Sequence, residues 1–192
     1  MSPSSHSEDE GFFADANTGL NILYWFCSMW AVSVEVMLRH SFGRRYLGLH
    51  AALVLIWIPM FISIWGHPSA LPLLTYLLVY LVVVVIHRSH ILLRWRQGQQ
   101  EHSYYSGTPY IMRLFGRIDE LPVKALVEPG IVLAAGSLLC GFAEGFGAYF
   151  LGAAFCMAVK GAIERAQEQK IVMDTHDAFF MQRRLRSRMG KL

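Results

Sequence analysis

Apolar positions in this chain come in long, nearly unbroken runs, and the polar residues gather between the runs. Crossing about 30 Å of hydrocarbon takes about 20 such residues in a helix, because lipid offers no partner to an unpaired backbone N–H or C=O. Three stretches reach that length. Residues 20–38 carry Tyr24, Trp25 and Trp30 near their start and a single charge, Glu35. Residues 46–66 contain Pro59, a predicted kink, and Trp65 near the exit. Residues 71–87 include a valine-rich run at 77–86 that would suit a buried strand in a soluble protein, but its length and apolar flanks predict a membrane helix.

A fourth apolar region, 127–158, is too long for one span and is interrupted by Ala143, Glu144, Gly145, Phe146 and Gly147, which predicts a helical hairpin. Its arms hold roughly 12 to 16 apolar residues each, about 18 to 24 Å of helix. They are therefore expected either as two thin crossings or as a re-entrant pair sheltered by other helices. Glu128, Pro129 and Gly130 read as the start of the first arm. Ahead of it, Thr108 as N-cap and Pro109 at the first helical position introduce Ile111, Met112, Leu114, Phe115, Ile118 and Leu121 at helical spacing, which predicts an amphipathic helix on the membrane surface.

The expected fold is thus all-α and polytopic. A disordered exterior arm (1–19) precedes three long transmembrane helices (20–87), a cytosolic loop (88–126), the Gly-rich hairpin (127–159) and a basic cytosolic helix (160–192). Composition agrees with this class: 54% of residues are hydrophobic and 16% charged. The polar, acidic start MSPSSHSEDE lacks the features of a cleavable signal.

Charge supplies the orientation. Residues 1–38, 46–87 and 125–159 hold no Lys or Arg. The basic residues instead follow the first helix (Arg39, Arg44, Arg45), the third (Arg88 through Lys124) and the hairpin (Lys160 onward). Because such residues are retained in the cytosol, five crossings with the N-terminus outside put every one of them on the same side. The expected location is a plasma membrane, of the bacterial inner-membrane type.

Candidate chemistry is sparse. The three cysteines imply no disulfide framework, and no phosphate-cradling loop, nucleophile elbow or zinc spacing occurs. Glu35 is the one acid deep in a long apolar segment, and Arg39, four residues on, is its expected ion-pair partner. His40, His50, His87 and His90 fall near the inner ends of the first three helices, in outline a haem or metal site, although only one HxxH pair is present. Gly136, Gly141 and Gly145, then Ala148, Gly152 and Cys156, form small-residue ridges suited to close helix packing. In the tail, Asp174, His176 and Asp177 make a partner-facing patch, and Arg183, Arg184, Arg186 and Arg188 suit partner or anionic-lipid docking. The net charge of +3 carries no nucleic-acid recognition module with it.

The function expected from these features is that of a non-enzymatic membrane subunit docking membrane or cytosolic partners in a larger complex of the secretion, transfer or energy-coupling kind, as a homo- or hetero-oligomer. A histidine-ligated haem or metal protein is the first alternative. A small channel or carrier lined by Glu35, Glu144 or the hairpin is the second.

Overall fold

The computed structural model describes residues 4–43, 46–66, 70–97, 105–113 and 120–189. These are mostly helical, with α1 at Ser4–Leu38, α2 at Leu49–Trp65, α3 at Ala70–Arg96, α4 at Glu120–Pro122, α5 at Glu128–Cys140 and α6 at Glu144–Met189. Two two-residue strands, β1 (Arg39–His40) and β2 (Thr108–Pro109), pair antiparallel, Arg39 opposite Pro109 and His40 opposite Thr108. Two compact units divide the chain, 1–160 and 161–192.

Four helical stretches are long and apolar enough to cross a membrane: Thr18–Leu38, Ala70–Arg96, Val123–Cys140 and Glu144–Arg184. The side chains that face outward from the bundle are themselves apolar. On α3, Leu71, Leu78, Val82 and Val85 are all well exposed, as are Ile56 and Ile64 on α2. A soluble domain of this size would bury such residues, so the distribution fits a membrane protein.

The assignment of long and short helices differs from the sequence expectation in two places. The second helix, expected over 46–66, is only 17 residues in α2, about 25 Å at ~1.5 Å per residue. The hairpin arms, expected to be short, are the ones that reach spanning length. The reason lies upstream of Glu128. Glu128 and Pro129 open α5 as expected, but a π-helical turn at Val123–Val127 joins it to α4 without a break, so the rod begins before them. Proline removes one backbone donor and crowds the preceding turn, and a widened turn accommodates both.

Two further boundaries move. Helix α1 begins at Ser4 rather than near Leu20, with no proline between Pro3 and Pro59 to stop it. The surface helix expected from Pro109 is instead a 3-10 turn at Tyr110–Arg113, and residues 114–119 of that expectation lie outside the described residues. Thr108 and Pro109 are held extended by pairing with β1, and Gly107 enters the pair with φ +83°. Nothing larger than glycine fits there, since a Cβ would lie 2.8 Å from His40 O and 2.9 Å from the Phe42 ring.

Helix α1 is the shared wall of two cores. On one side Val32 and Val36 pack with Val54, Ile58 and Phe61 of α2, Leu73 and Tyr80 of α3, and Tyr149 of α6. On the other, Ala31 and Val34 meet Val132 of α5 and Ala153, Ala154 and Met157 of α6. Each turn of α1 in this stretch therefore serves both cores, on opposite faces.

Candidate functional site: a buried charge cluster

The end of α1 carries two charges that its neighbours must neutralise, because neither Glu35 nor Arg39 reaches water. Lys160, on α6, donates to both Glu35 oxygens at 2.8 and 2.7 Å. It also donates to Tyr46 Oη at 2.6 Å, and the Tyr46 hydroxyl donates to Glu35. Arg39 lies 3.3 Å from Glu35 Oε1 through Nη2. The same guanidinium donates through Nε and Nη2 to Glu128 Oε2, at 2.8 and 2.5 Å, and through Nη1 to Ser106 O at 3.3 Å. Burial works against the Arg39 cation, but the charge of Glu35 and the Glu128 hydrogen bond outweigh it and raise its pKa above the ordinary guanidinium range.

A more exposed pair extends the cluster. Lys124 pairs with Glu120 and donates to Ser106 Oγ at 2.9 Å, and Tyr105 Oη donates to Glu120 Oε1 at 2.6 Å. Burial alone would push the Glu120 carboxyl up, yet the hydrogen bonds from Lys124 and Tyr105 hold it below its usual value. Three carboxylates (Glu35, Glu120, Glu128) thus stand against three cations (Arg39, Lys124, Lys160), and the six charges cancel.

The cluster ties together α1, α5, α6, the turn before α2 and the β1–β2 clip. It is a lock made of charges. Opposite charges at these separations in a weakly polar interior recover the desolvation cost only when the remaining donors and acceptors are also met. Most are met here, although Glu128 Oε1 is buried without a hydrogen-bond partner. Deeper in the bundle, Ser33 makes a second polar node. Tyr149 Oη donates to Ser33 Oγ at 2.8 Å, Tyr76 Oη donates to Ser33 O at 2.8 Å, and Ser33 Oγ donates to Trp30 O at 2.6 Å.

His87 lies within electrostatic reach of His40 and His90. His87 Nε2 is 3.1 Å from Val36 O, His40 stacks on Tyr110 at 4.9 Å, His50 tilts against Trp25 at 5.5 Å, and His90 is exposed. Among the described residues no three His, Cys, Asp or Glu side chains are grouped as metal ligands would be.

The small residues divide by role. A Cβ on Gly136 would lie 3.0 Å from Leu151 N and 3.1 Å from Phe150 Cβ, so α5 and α6 approach closely there. A Cβ on Gly152 would enter the Trp30 ring, and Cys156 is buried in contact with Cys27 of α1. Ala148 packs against the larger core. Gly141 and Gly145 do not share a helix face: Gly141 caps α5, donating to Leu138 O and Leu139 O, while Gly145 lies in the first turn of α6. Gly147, read from sequence only as a breaker, packs against the Cys140 backbone and closes the hairpin.

Tyr46, Glu128 and Lys160 were not legible as partners of Glu35 and Arg39. The Glu128 and Lys160 contacts join residues 89 and 125 positions apart, beyond the reach of any helical periodicity, and Tyr46 reaches Glu35 from outside the helix, 11 residues on. Arg183, Arg184 and Arg186 are exposed on the second unit, and the side chain of Arg188 lies outside the described set. No protein family model, curated protein or solved structure matches the chain.

Proposed function

We propose that the chain is a non-enzymatic polytopic membrane subunit that holds a docking helix in the cytosol for partners in a larger complex. Five crossings, with the N-terminus outside and residues 161–192 inside, give every Lys and Arg a cytosolic or cytosol-facing position. In that arrangement the charge cluster lies at the inner ends of α1, α5 and α6 and fixes them to one another. A bacterial inner membrane is part of the same proposal, since the rule holds there as it does in other membranes that face a cytosol.

One observation carries the reading. The six charges of the cluster cancel and are spent on joining helices, whereas residues 166–184 of α6 are all exposed, six large apolar side chains among them. Ionisable groups committed to neutral pairs are suited to holding structure, and exposed apolar surface outside the lipid-facing segment is suited to a protein contact.

The test is purification of the full chain in mild detergent, beside a variant with Ile171→Ser, Met173→Ser, Phe179→Ser and Phe180→Ser. The proposal expects defined protein partners in stoichiometric amount with the natural chain and their loss from the variant, with equal amounts of both chains in the membrane. A natural chain that purifies without partners would count against it.

A further inference from the structure

The apolar side chains of the second unit encircle their helix. Ile171, Val172 and Met173 are consecutive, and so are Phe179, Phe180 and Met181; all six are between 52% and 68% exposed. At about 100° per residue each triplet sweeps roughly 200° of the circumference. Ile171 and Phe180 are nine residues apart and so face opposite ways, as do Val172 and Met181. A helix lying on a lipid surface or in one shallow groove needs a single stripe, and this one would leave half of its apolar surface in water.

Charge narrows the occupant. Acidic residues (Glu164, Glu168, Asp174, Asp177) end at Asp177, and beyond it Arg183, Arg184, Arg186, Arg188 and Lys191 follow with no carboxylate between them. A second copy anchored in the same membrane would run parallel and set this cationic run against itself, which like-charge repulsion opposes. A surface bearing carboxylates complements it.

Resting on the docking function above, we propose that residues 161–189 are clasped on opposite faces by a single cytosolic protein whose cleft is apolar inside and carboxylate-rich where it meets the arginines. The apolar triplets are two anchor bands, with centres about 12 Å apart along the helix at ~1.5 Å per residue.

The experiment places a photo-crosslinking amino acid at Ile171, Val172, Phe180 or Met181 in the full-length protein in intact cells, then identifies the adducts and linked peptides by mass spectrometry. The expected result is adduct formation from both members of each opposed pair to one and the same protein, through acid-rich peptides. Arg183→Glu with Arg184→Glu and Arg186→Glu should lower the yield at least tenfold relative to the amount of chain in the membrane. A milder set, with glutamine at the same three positions, should lower it in the same direction. Adducts from one face only, adducts to a second copy, or linkage through basic peptides would overturn the clasp and leave docking itself standing. Lipid adducts alone, or no protein adduct from any position, would overturn both.

Discussion

Lys160 and Glu35 meet across 125 residues of sequence, the ammonium bonded to both carboxylate oxygens at 2.8 and 2.7 Å. Removing Lys160 leaves Glu35 away from water with only Tyr46 and an Arg39 that it shares with Glu128, an excess buried charge that costs about 3–5 kcal/mol. Lys160→Met is therefore expected to lower the unfolding midpoint in detergent sharply. Lys160→Met combined with Glu35→Leu should recover much of the loss, since an apolar pair leaves no stranded charge. A double variant as unstable as the sum of the two singles would show that the residues do not act as a pair.

The approach of α1 to α6 depends on Gly152, where a Cβ would enter the Trp30 ring. Gly152→Val should destabilise the bundle by about 1–3 kcal/mol through overpacking. Adding Trp30→Ala should relieve part of that loss by opening the space. The comparison is made by thermal unfolding of the two variants in the same detergent.

Gly107 combines φ +83° with a Cβ position already occupied by His40 O and the Phe42 ring. Gly107→Ala is expected to loosen the β1–β2 clip at a cost of roughly 1–3 kcal/mol. Hydrogen exchange at residues 105–110 should rise while exchange at residues 31–36 of α1 stays unchanged.

The Glu120 carboxyl is held below its usual value in the folded protein, so it binds protons less readily there than in the unfolded chain. Its contribution is present above the unfolded-state pKa, for which 4.5 is the reference, and is lost as pH falls through the lower folded value. Glu120→Gln should flatten stability below about pH 4.5 and leave the shape of the curve near neutrality unchanged. The effect should be small, about 0.2–1 kcal/mol, because the pair with Lys124 is partly open to solvent.

Hydropathy made α1 and α3 legible, because uninterrupted apolar length is a property of the local sequence. It misjudged α2 and the hairpin because helix ends depend on what neighbours supply. Pro129 does lie in the first turn of α5, but the π turn before it lengthens the rod, and Thr108–Pro109 looks like a helix entry until β1 pairs with it. The Glu35–Arg39 spacing could be read directly. Lys160 read as the first cytosolic residue, whereas its long stem carries the ammonium back to a carboxylate on α1.

The membrane arrangement is tested most directly by labelling from outside intact cells. Phe142, at the hairpin tip, is 90% exposed. With Cys27, Cys140 and Cys156 replaced by alanine, Phe142→Cys should react with a membrane-impermeant maleimide, while a cysteine or tag placed after Leu192 should stay protected until the cells are opened. Labelling of the site after Leu192 in intact cells, with Phe142→Cys protected, would contradict the account.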